Sequence, residues 1–454
     1  MERVAKIMIE QIFLIGRTLM IFFLAGAFLS GCGNREPILE GKRLDLRAPI
    51  VIEDQVIGVK KPDVRIDKLS LLPPTVNAEW THRNGSSQHL IKHPKLGRSL
   101  AKIWTANIGA GNSKKRSITA SPIVANGHVY TMDASAVARA FTTMGSPVWS
   151  VDLTPPNEKA NEASGGGMAY GGGVLAITTG HGEVVALNAD NGSVLWRHKT
   201  RSAISADPVI VGNMVVAVGR NNVAIGLDIR NGRLKWQQIS QGNTAGVAGA
   251  GAPAARGNLV VIPFSSGELV GTIASNGLRA WSRSISGKNT GLARSMISDI
   301  SSDPVIDGLN VYAANQAGRL VAMDRRSGSL LWTAQDGSYT PVWSIGSAVF
   351  VVTDRFAVKR LNSSDGSEVW SQKLPGFKNS KDSRKRATYA YFGPVVAGGQ
   401  VWVAGSDGLL RSYDPINGML TGKVDIPGGA ASQPAIADGR LYILSANGRV
   451  HAYE

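Results

Sequence analysis

The sequence predicts an all-β protein, an eight-bladed β-propeller with four short antiparallel strands in each blade. Three observations predict this fold. Tryptophans recur at intervals of 38 to 51 residues, glycine stands four positions before six of the seven, and a proline or glycine opens each repeating unit. Such a period, with several short strands per unit, is typical of propeller blades. The seven tryptophans are Trp104, Trp149, Trp196, Trp236, Trp281, Trp332 and Trp370.

The turn before each tryptophan indicates a hairpin between the third and fourth strands. Asn191-Gly192 and Asp365-Gly366 are dipeptides that readily adopt the positive φ angles of tight turns. The tryptophan therefore falls on the outer strand of each blade. A repeated aromatic side chain there can wedge between neighbouring blades, so we interpret the seven tryptophans as a structural repeat rather than as repeated ligand sites.

Counting the repeating units gives eight blades, and the last of them is incomplete. The units begin near residues 121, 168, 207, 252, 303, 340, 393 and 433. The seventh has Gly422 where a tryptophan would stand, and the eighth ends at Glu454 after its third strand. We predict that the unassigned tryptophan strand at residues 101–108 closes the last blade from the N-terminal side, since closure removes open sheet edges.

The first residues read as a targeting segment. Residues 19–29 are apolar, and eleven residues make a helix of about 16 Å, too short for a bilayer core of about 30 Å. The Leu29-Ser30-Gly31-Cys32 sequence resembles the lipobox of bacterial lipoproteins. We predict a lipoprotein signal peptide at residues 1–31, lipidation of Cys32, a lipidated tether at residues 32–79 and the propeller at residues 80–454. The alternative is an ordinary signal peptide with an incidental cysteine.

Composition limits the available chemistry. Cys32 is the only cysteine among 454 residues, which excludes a disulfide, a c-type haem site and a cysteine-based zinc site within one chain. The net charge of +16 favours contact with anionic surfaces. The densest basic runs are residues 114–116 and 378–386. No base-stacking platform accompanies them, so we interpret them as solvated loops and predict no nucleic-acid partner.

Catalytic motifs are missing from the sequence. It contains no G-x-S-x-G, no H-E-x-x-H and no G-x-x-x-x-G-K-[ST]. His89 and His93 lack the glutamate of a zinc protease, and we interpret them as polar residues before the first blade. Asp207, Asp299 and Asp303 could line one end of the central channel or cap the turns that lead into strands. We predict no enzyme activity, no cofactor and no metal site.

The repeat resembles a known one. Residues 184–196 (VVALNADNGSVLW) and 320–332 (LVAMDRRSGSLLW) resemble the PQQ-type propeller repeat. Together with the lipobox and the count of eight blades, the chain is similar to the BamB family, the lipoprotein subunits of the outer-membrane β-barrel assembly (BAM) machinery. The resemblance implies a non-catalytic scaffold that is anchored by acyl chains in the outer membrane and faces the periplasm. Gly33, in place of the aspartate that retains lipoproteins at the inner membrane, agrees with that location.

The resemblance also implies partners. Members of the family dock on the POTRA domains of BamA, associate with other BAM lipoproteins and assist unfolded outer-membrane proteins. Their docking loops correspond to residues 241–251 and 294–304. Asp299 matches one acidic position of the family, whereas Ser301 replaces the other. The candidate partner-binding residues are Ala245, Val247, Ala248, Arg294, Met296, Asp299 and Ser301.

An enzyme remains the alternative on sequence grounds. PQQ-dependent dehydrogenases share the repeat, carry a quinone and calcium in the central channel, and typically cover the quinone with a ring formed by adjacent cysteines. That ring cannot form in a chain with a single cysteine. A lipid-anchored dehydrogenase, a ligand-binding propeller of the envelope and a general envelope-adhesion propeller stay open as alternatives.

Overall fold

The computed structural model describes residues 69–159, 162–240, 251–286, 299–379, 381 and 387–454. These residues form 32 β-strands and no α-helix. Within these ranges, no helix has the length and apolar character needed to cross a membrane. Cys32, most of the predicted tether, residues 241–250 of the first predicted docking loop and residues 294–298 of the second lie outside the described residues.

The strands make eight sheets of four, which we call blades 1 to 8. Blades 1 to 4 contain β2 (Ile123–Ala125), β3 (His128–Met132), β4 (Val137–Thr142), β5 (Pro147–Asp152); β6 (Met168–Gly171), β7 (Val174–Thr178), β8 (Glu183–Asn188), β9 (Val194–Lys199); β10 (Val209–Val211), β11 (Met214–Val218), β12 (Val223–Asp228), β13 (Leu234–Ile239); and β14 (Ala254–Arg256), β15 (Leu259–Pro263), β16 (Glu268–Ile273), β17 (Arg279–Ser284). Blades 5 to 8 contain β18 (Val305–Asp307), β19 (Asn310–Asn315), β20 (Arg319–Asp324), β21 (Leu330–Ala334); β22 (Trp343–Ile345), β23 (Ala348–Val352), β24 (Ala357–Asn362), β25 (Glu368–Lys373); β26 (Tyr391–Ala397), β27 (Gln400–Gly405), β28 (Leu409–Tyr413), β29 (Leu420–Asp425); and β30 (Ala435–Ala437), β31 (Arg440–Ser445), β32 (Arg449–Tyr453), β1 (Lys102–Asn107).

The eighth blade confirms the predicted ring closure. Its strand order is β1-β32-β31-β30, so the first strand of the chain supplies the outer strand of the last blade. β1 is antiparallel to β32, with Thr105 opposite His451. Ala101 and Glu454 extend the pairing by exchanging two backbone hydrogen bonds of 2.8 and 3.0 Å. The predicted fold class is therefore confirmed, from the blade count to the closing strand.

Each tryptophan of the repeat lies against the next blade. The Trp236 indole Nε1 donates a hydrogen bond of 2.7 Å to the Ala274 carbonyl. A Cβ atom on Gly277, in the same turn of blade 4, would lie 2.6 Å from Trp236 Cγ, so the ring packs directly on that turn. The seven tryptophans and the residues whose carbonyls accept are Trp104 and Thr143, Trp149 and Ala189, Trp196 and Ile229, Trp236 and Ala274, Trp281 and Arg325, Trp332 and Ser363, and Trp370 and Pro415.

Apolar side chains fill the space between neighbouring sheets. Between blades 3 and 4, for example, Val216 and Ala224 pack in one cluster with Val260, Ile262 and Val270, and all five are fully buried. Strand residues buried on both faces explain why these strands read as continuous apolar runs rather than as strict alternation. The outer strands alternate between exposed and buried positions instead, as in β13.

Candidate functional site

A segment that precedes the propeller closes one end of its central channel. Residues 69–100, the plug segment, form no regular strand, although single bridges occur within it. The inner strand of each blade has a neighbour on only one side, and its free backbone groups need other partners. The plug segment supplies such partners. Trp80 and Val124 of β2, for example, exchange two backbone hydrogen bonds of 2.6 and 3.0 Å.

The plug segment contacts all eight blades. In blades 2 to 5, backbone N–H groups of the inner strands donate to it, and in blade 6 Trp343 stacks on Trp80 with ring centroids 6.2 Å apart. Both tryptophans are fully buried. The remaining donor and acceptor pairs are Tyr170 N to Thr81 O, Ile210 N to His82 Nε2, Ala255 N to Ser87 O, Ile306 N to Gln88 O, Gly398 N to Pro94 O and Asn77 Nδ2 to Ile436 O. Residues 69–79, predicted as tether, thus already contact the propeller.

An arginine of the plug segment lies between two carboxylates of the channel. Arg83 Nη1 is 3.2 Å from Asp207 Oδ2, and Arg83 Nε is 3.2 Å from Asp303 Oδ2. The two aspartate side chains are 3% and 1% exposed, against 12% for the arginine. Burial lowers the pKa of Arg83, but the two carboxylates outweigh it and the net shift is upward. Burial raises the pKa of Asp207 to about 6, although Arg83 opposes the shift.

The same aspartates cap strands of the preceding blades. Asp207 Oδ1 accepts a hydrogen bond of 3.0 Å from Met168 N at the start of β6. Asp303 Oδ1 accepts one of 2.8 Å from Ala252 N just before β14. For these two residues the capping role predicted from sequence is confirmed. Since each has one oxygen on a backbone N–H and the other facing Arg83, the two carboxylates are already engaged by the chain itself.

This arrangement does not fit a quinone and calcium site. A calcium ion takes six to eight oxygen ligands, whereas the carboxylates at this place face a guanidinium group that carries its own positive charge. No group of three His, Cys, Asp or Glu side chains suited to a metal occurs within the described ranges. The channel residues therefore disagree with the cofactor set of the PQQ dehydrogenases.

The histidines of the plug segment are buried. Burial and the nearby His89 lower the pKa of His82 to about 3. His82 Nε2 accepts a hydrogen bond of 3.1 Å from Ile210 N. Burial also lowers the pKa of His89, although Asp303 opposes the shift. His93 Nε2 accepts from Gly399 N at 2.9 Å. These residues bind the plug segment to the blades, which extends the sequence interpretation of His89 and His93 as polar residues before the first blade.

Arg83 also lines a cavity of about 510 Å³. The cavity lies on the front face of the propeller, which we define as the side where the chain enters each inner strand. Its walls come from the loops that lead into blades 1, 5, 6, 7 and 8, together with the turn between β23 and β24. The aromatic residues that line it are Tyr339, Phe356, Tyr389, Tyr391 and Phe392, and the aliphatic hydroxyl residues are Ser117, Thr119, Ser301, Thr340, Thr353, Thr388 and Ser432.

Two of the predicted partner-binding residues fall within the described ranges. Asp299 is 1% exposed and Ser301 is 3% exposed. The Ser301 hydroxyl donates a hydrogen bond of 2.9 Å to the Ser338 carbonyl of the loop before blade 6. Both residues are therefore internal in this structure and present almost no surface to a docking domain, although Ser301 lines the cavity. Ala245, Val247, Ala248, Arg294 and Met296 lie outside the described residues.

Sequence reasoning missed the plug segment and the Arg83 cluster. Residues 69–100 show no period, because each short stretch of the segment bonds to a different blade. One signal was present, since Trp80 stands outside the series of seven repeat tryptophans. The partners of Arg83 could not be read from spacing, because Asp207 is 124 residues further along the chain.

The fold and the closed channel define a class: an eight-bladed propeller of the PQQ-type repeat whose channel carboxylates are neutralised by an arginine of the chain. The family model described as outer membrane protein assembly factor BamB matches residues 133–372 and 356–454. The chain belongs to this BamB family. Outer membrane protein assembly factor BamB of Shewanella oneidensis is 25% identical over 355 residues, which cover 76% of this chain and 87% of that protein.

Solved structures show the same fold. The crystal structure of BamB from Moraxella catarrhalis superposes with a TM-score of 0.66 at 20% identity, covering 78% of this chain and all of that one. The quinohemoprotein alcohol dehydrogenase of Comamonas testosteroni superposes with a TM-score of 0.65 at 13% identity, covering 83% of this chain and 80% of the enzyme. Because a BamB protein and an alcohol dehydrogenase superpose on this chain almost equally well, the shared fold does not by itself specify a function.

Proposed function

We propose that this chain is a non-catalytic assembly factor of the outer membrane that assists the folding and insertion of β-barrel proteins. The observation that carries the proposal is the family match over residues 133–454, together with relatives that are named for this role. A scaffold in the periplasm acts through binding energy alone, and the engaged carboxylates of the channel agree with that mode of action.

The proposed anchor is the acylated Cys32, which places the propeller on the periplasmic side of the outer membrane. Several buried acyl chains hold a protein stably, since each buried CH₂ contributes about 0.8 kcal/mol. The Cys32→Ser variant tests the anchor by membrane fractionation. We expect it to leave the outer-membrane fraction, or to stay uncleaved at the inner membrane. Recovery of the variant in the outer membrane with its signal peptide removed would contradict the proposed anchor.

The proposed docking partners are the POTRA domains of BamA, with other BAM lipoproteins bound nearby. The docking surface is assigned to the loops at residues 241–251 and 294–304, which precede blades 4 and 5. Because Asp299 and Ser301 are buried, the contact itself is assigned to Ala245, Val247, Ala248, Arg294 and Met296. Charge reversal at Asp299 would disturb the interior of the propeller, so it is not a clean test of docking.

Arg294→Glu tests the docking surface directly. Arginine is one of the residue types that dominate binding energy at interfaces, so we expect the affinity for isolated POTRA domains to fall by about tenfold or more. Arg201→Glu is the matched control, since Arg201 is exposed in the corresponding loop before blade 3. The measurement is calorimetric titration, with a thermal melt of each variant. Unchanged affinity of Arg294→Glu, or an equal loss in the control, would contradict the assignment.

The dehydrogenase alternative is less well supported. It requires a quinone and a metal in the channel, where Arg83 is paired with Asp207 and Asp303. The ring of adjacent cysteines that usually covers the quinone cannot form either, because Cys32 is the only cysteine. A quinone absorbance band in the purified protein would restore that alternative.

A further inference from the structure

We propose that the front-face cavity is a binding site for an aromatic side chain carried by an acidic, extended polypeptide segment. The inference rests on the proposed function, in which unfolded chains are the clients, and it assigns the site that holds them. A volume of about 510 Å³ lies within the range of about 300–1,000 Å³ that is usual for ligand pockets. Five aromatic rings beside hydroxyl groups suit a partner with both an apolar ring and backbone hydrogen-bonding groups.

One wall of the cavity is held in a costly conformation. Phe356 has φ of +59° in the turn between β23 and β24, a left-handed region that disfavours bulky side chains. The corresponding turns of five other blades place a glycine at positive φ: Gly182, Gly267, Gly318, Gly408 and Gly448. Blades 1 and 3 have Ala136 and Asn222 there. Only blade 6 places a large ring at this position, and that ring lines the cavity.

A second aromatic residue supports Phe356 from the rim. The Phe377 ring lies 6.0 Å from the Phe356 ring between centroids, tilted by 57°. Phe377 is 41% exposed, and the lining residue Tyr339 is 43% exposed. Phe377 forms a bridge with Thr388, itself a lining residue. Exposed rings at the opening of a concave site are typical of surfaces that bind other molecules.

Described lysines of the two densest basic runs stand near residues that line this cavity in the chain. Lys114 and Lys115 are exposed and stand just before the lining residue Ser117. Lys378 follows Phe377, and its N–H donates to the Ala387 carbonyl at 2.9 Å, next to Thr388. Lys381 is exposed on the same stretch. This rim attracts negative charge, so acidic residues beside the bound aromatic side chain fit it.

Other anionic ligands fit less well. A small anion would need a free cation inside the cavity, whereas Arg83 is already paired with two carboxylates. A bilayer surface is flat and reaches the rim lysines without entering a concave pocket. Neither ligand uses the rings of Phe356, Tyr389 and Phe392. A polypeptide segment uses the rim and the interior together.

The test uses the full chain in a non-ionic detergent and a short synthetic peptide with one phenylalanine between two aspartates in a Gly/Ser background. Fluorescence anisotropy measures its affinity. We expect this peptide to bind at least about tenfold more tightly than the same peptide with alanine for phenylalanine, or with lysines for the aspartates. Equal affinity for the three peptides would overturn the proposal.

Phe356→Gly is the decisive variant. Glycine is the usual residue at this turn, so the change relieves the backbone while it removes the ring. We expect peptide affinity to fall by about tenfold or more in a protein that still folds. Ala136→Gly, the same turn in blade 1, is the matched control and leaves peptide affinity unchanged. Full peptide affinity in a folded Phe356→Gly protein would overturn the proposal.

The rim has its own test, which also separates peptide from lipid. Lys114→Glu with Lys115→Glu should weaken peptide binding and reduce its dependence on salt. Binding of phosphatidylglycerol vesicles without binding of the peptide would overturn the proposal in favour of a lipid site.

The affinity of the Phe356→Gly protein for POTRA domains distinguishes failure of this site from failure of the proposed function. If the Phe356→Gly protein and the wild type both dock on POTRA domains but do not discriminate between the peptides, only this site is overturned. Absent docking in the wild type, or unchanged docking in Arg294→Glu, would overturn the proposed function instead.

Discussion

Seven seams between blades are closed by a tryptophan, and the seam between blades 7 and 8 is closed differently. At an ordinary seam, Trp370 of blade 6 packs on the turn of blade 7 and donates to the Pro415 carbonyl at 3.1 Å. In blade 7, Gly422 takes the tryptophan position. The turn that a tryptophan there would contact does not exist, because the third and fourth strands of blade 8 come from opposite ends of the propeller sequence.

The eighth seam is held by contacts that the sequence repeat does not contain. The Tyr453 hydroxyl of blade 8 donates to the Asp425 carbonyl of blade 7 at 2.9 Å. The plug segment bonds to blade 8 through Asn77 and to blade 7 through Pro94. The two parts of the segment are joined to each other near Thr75. We infer that a tryptophan stabilises a seam only where a covalent turn of the next blade offers it a packing surface.

The largest expected effect comes from removing an ordinary seam tryptophan. Trp236 is 7% exposed, so Trp236→Ala should lower the free energy of unfolding by about 3–5 kcal/mol. Urea denaturation followed by circular dichroism measures the loss. Trp149→Ala should cost less, because Trp149 is more exposed. A Trp236→Ala protein as stable as the wild type would show that the rings do not hold the seams.

A smaller effect is expected from changing the turn rather than the ring. Gly277→Ala meets two obstacles, a φ of +74° and a Cβ position 2.6 Å from Trp236 Cγ. Gly257→Ala is the matched control, since its φ is +58° but nothing lies within 4 Å. Both lose about 1–2 kcal/mol to the backbone, and Gly277→Ala loses about 1–3 kcal/mol more to overpacking. Equal losses in the two variants would remove the steric part of the explanation.

A loss of about 1 kcal/mol is expected at the eighth seam from Asn77→Ala. The Asn77 amide donates to the Ile436 carbonyl at 2.6 Å, and one hydrogen bond contributes about 0.5–1.5 kcal/mol. Asn379→Ala serves as the control, since that side chain accepts an exposed local hydrogen bond from Lys381 N. Thermal melts compare the two variants. Identical melting temperatures would mean that the plug segment does not support this seam.

The smallest effect is expected from adding a tryptophan to the seam without a turn. Gly422→Trp should raise stability by no more than about 0.5 kcal/mol, because no glycine turn faces it. Gly422→Ala controls for the loss of backbone freedom. A gain of several kcal/mol in the tryptophan variant relative to the alanine variant would show that a covalent turn is unnecessary.

Much of the fold could be predicted from the sequence because the repeat is a local signal. Each blade carries its own proline, its glycine turn and its tryptophan, so the blade count and the closing strand follow from periodicity. Gly422 was visible as an exception, but its reason needed the pairing of β1 with β32.

The candidate site could be predicted only in part. The places of Asp207 and Asp303 before strand prolines predicted a capping role, but not that the capped N–H groups belong to the preceding blades. Arg83, Trp80 and Phe356 could not be predicted, since their partners are brought together by the ring and not by spacing. The burial of Ser301 likewise depends on packing against the loop before blade 6.

The most direct test of the scaffold role is to isolate the native protein from gently solubilised membranes and to identify its partners by mass spectrometry. If the protein is such a scaffold, we expect recovery of a POTRA-containing barrel protein together with other assembly lipoproteins. We expect both to be lost in the Arg294→Glu strain. Recovery of the protein alone, or with redox carriers, would contradict it.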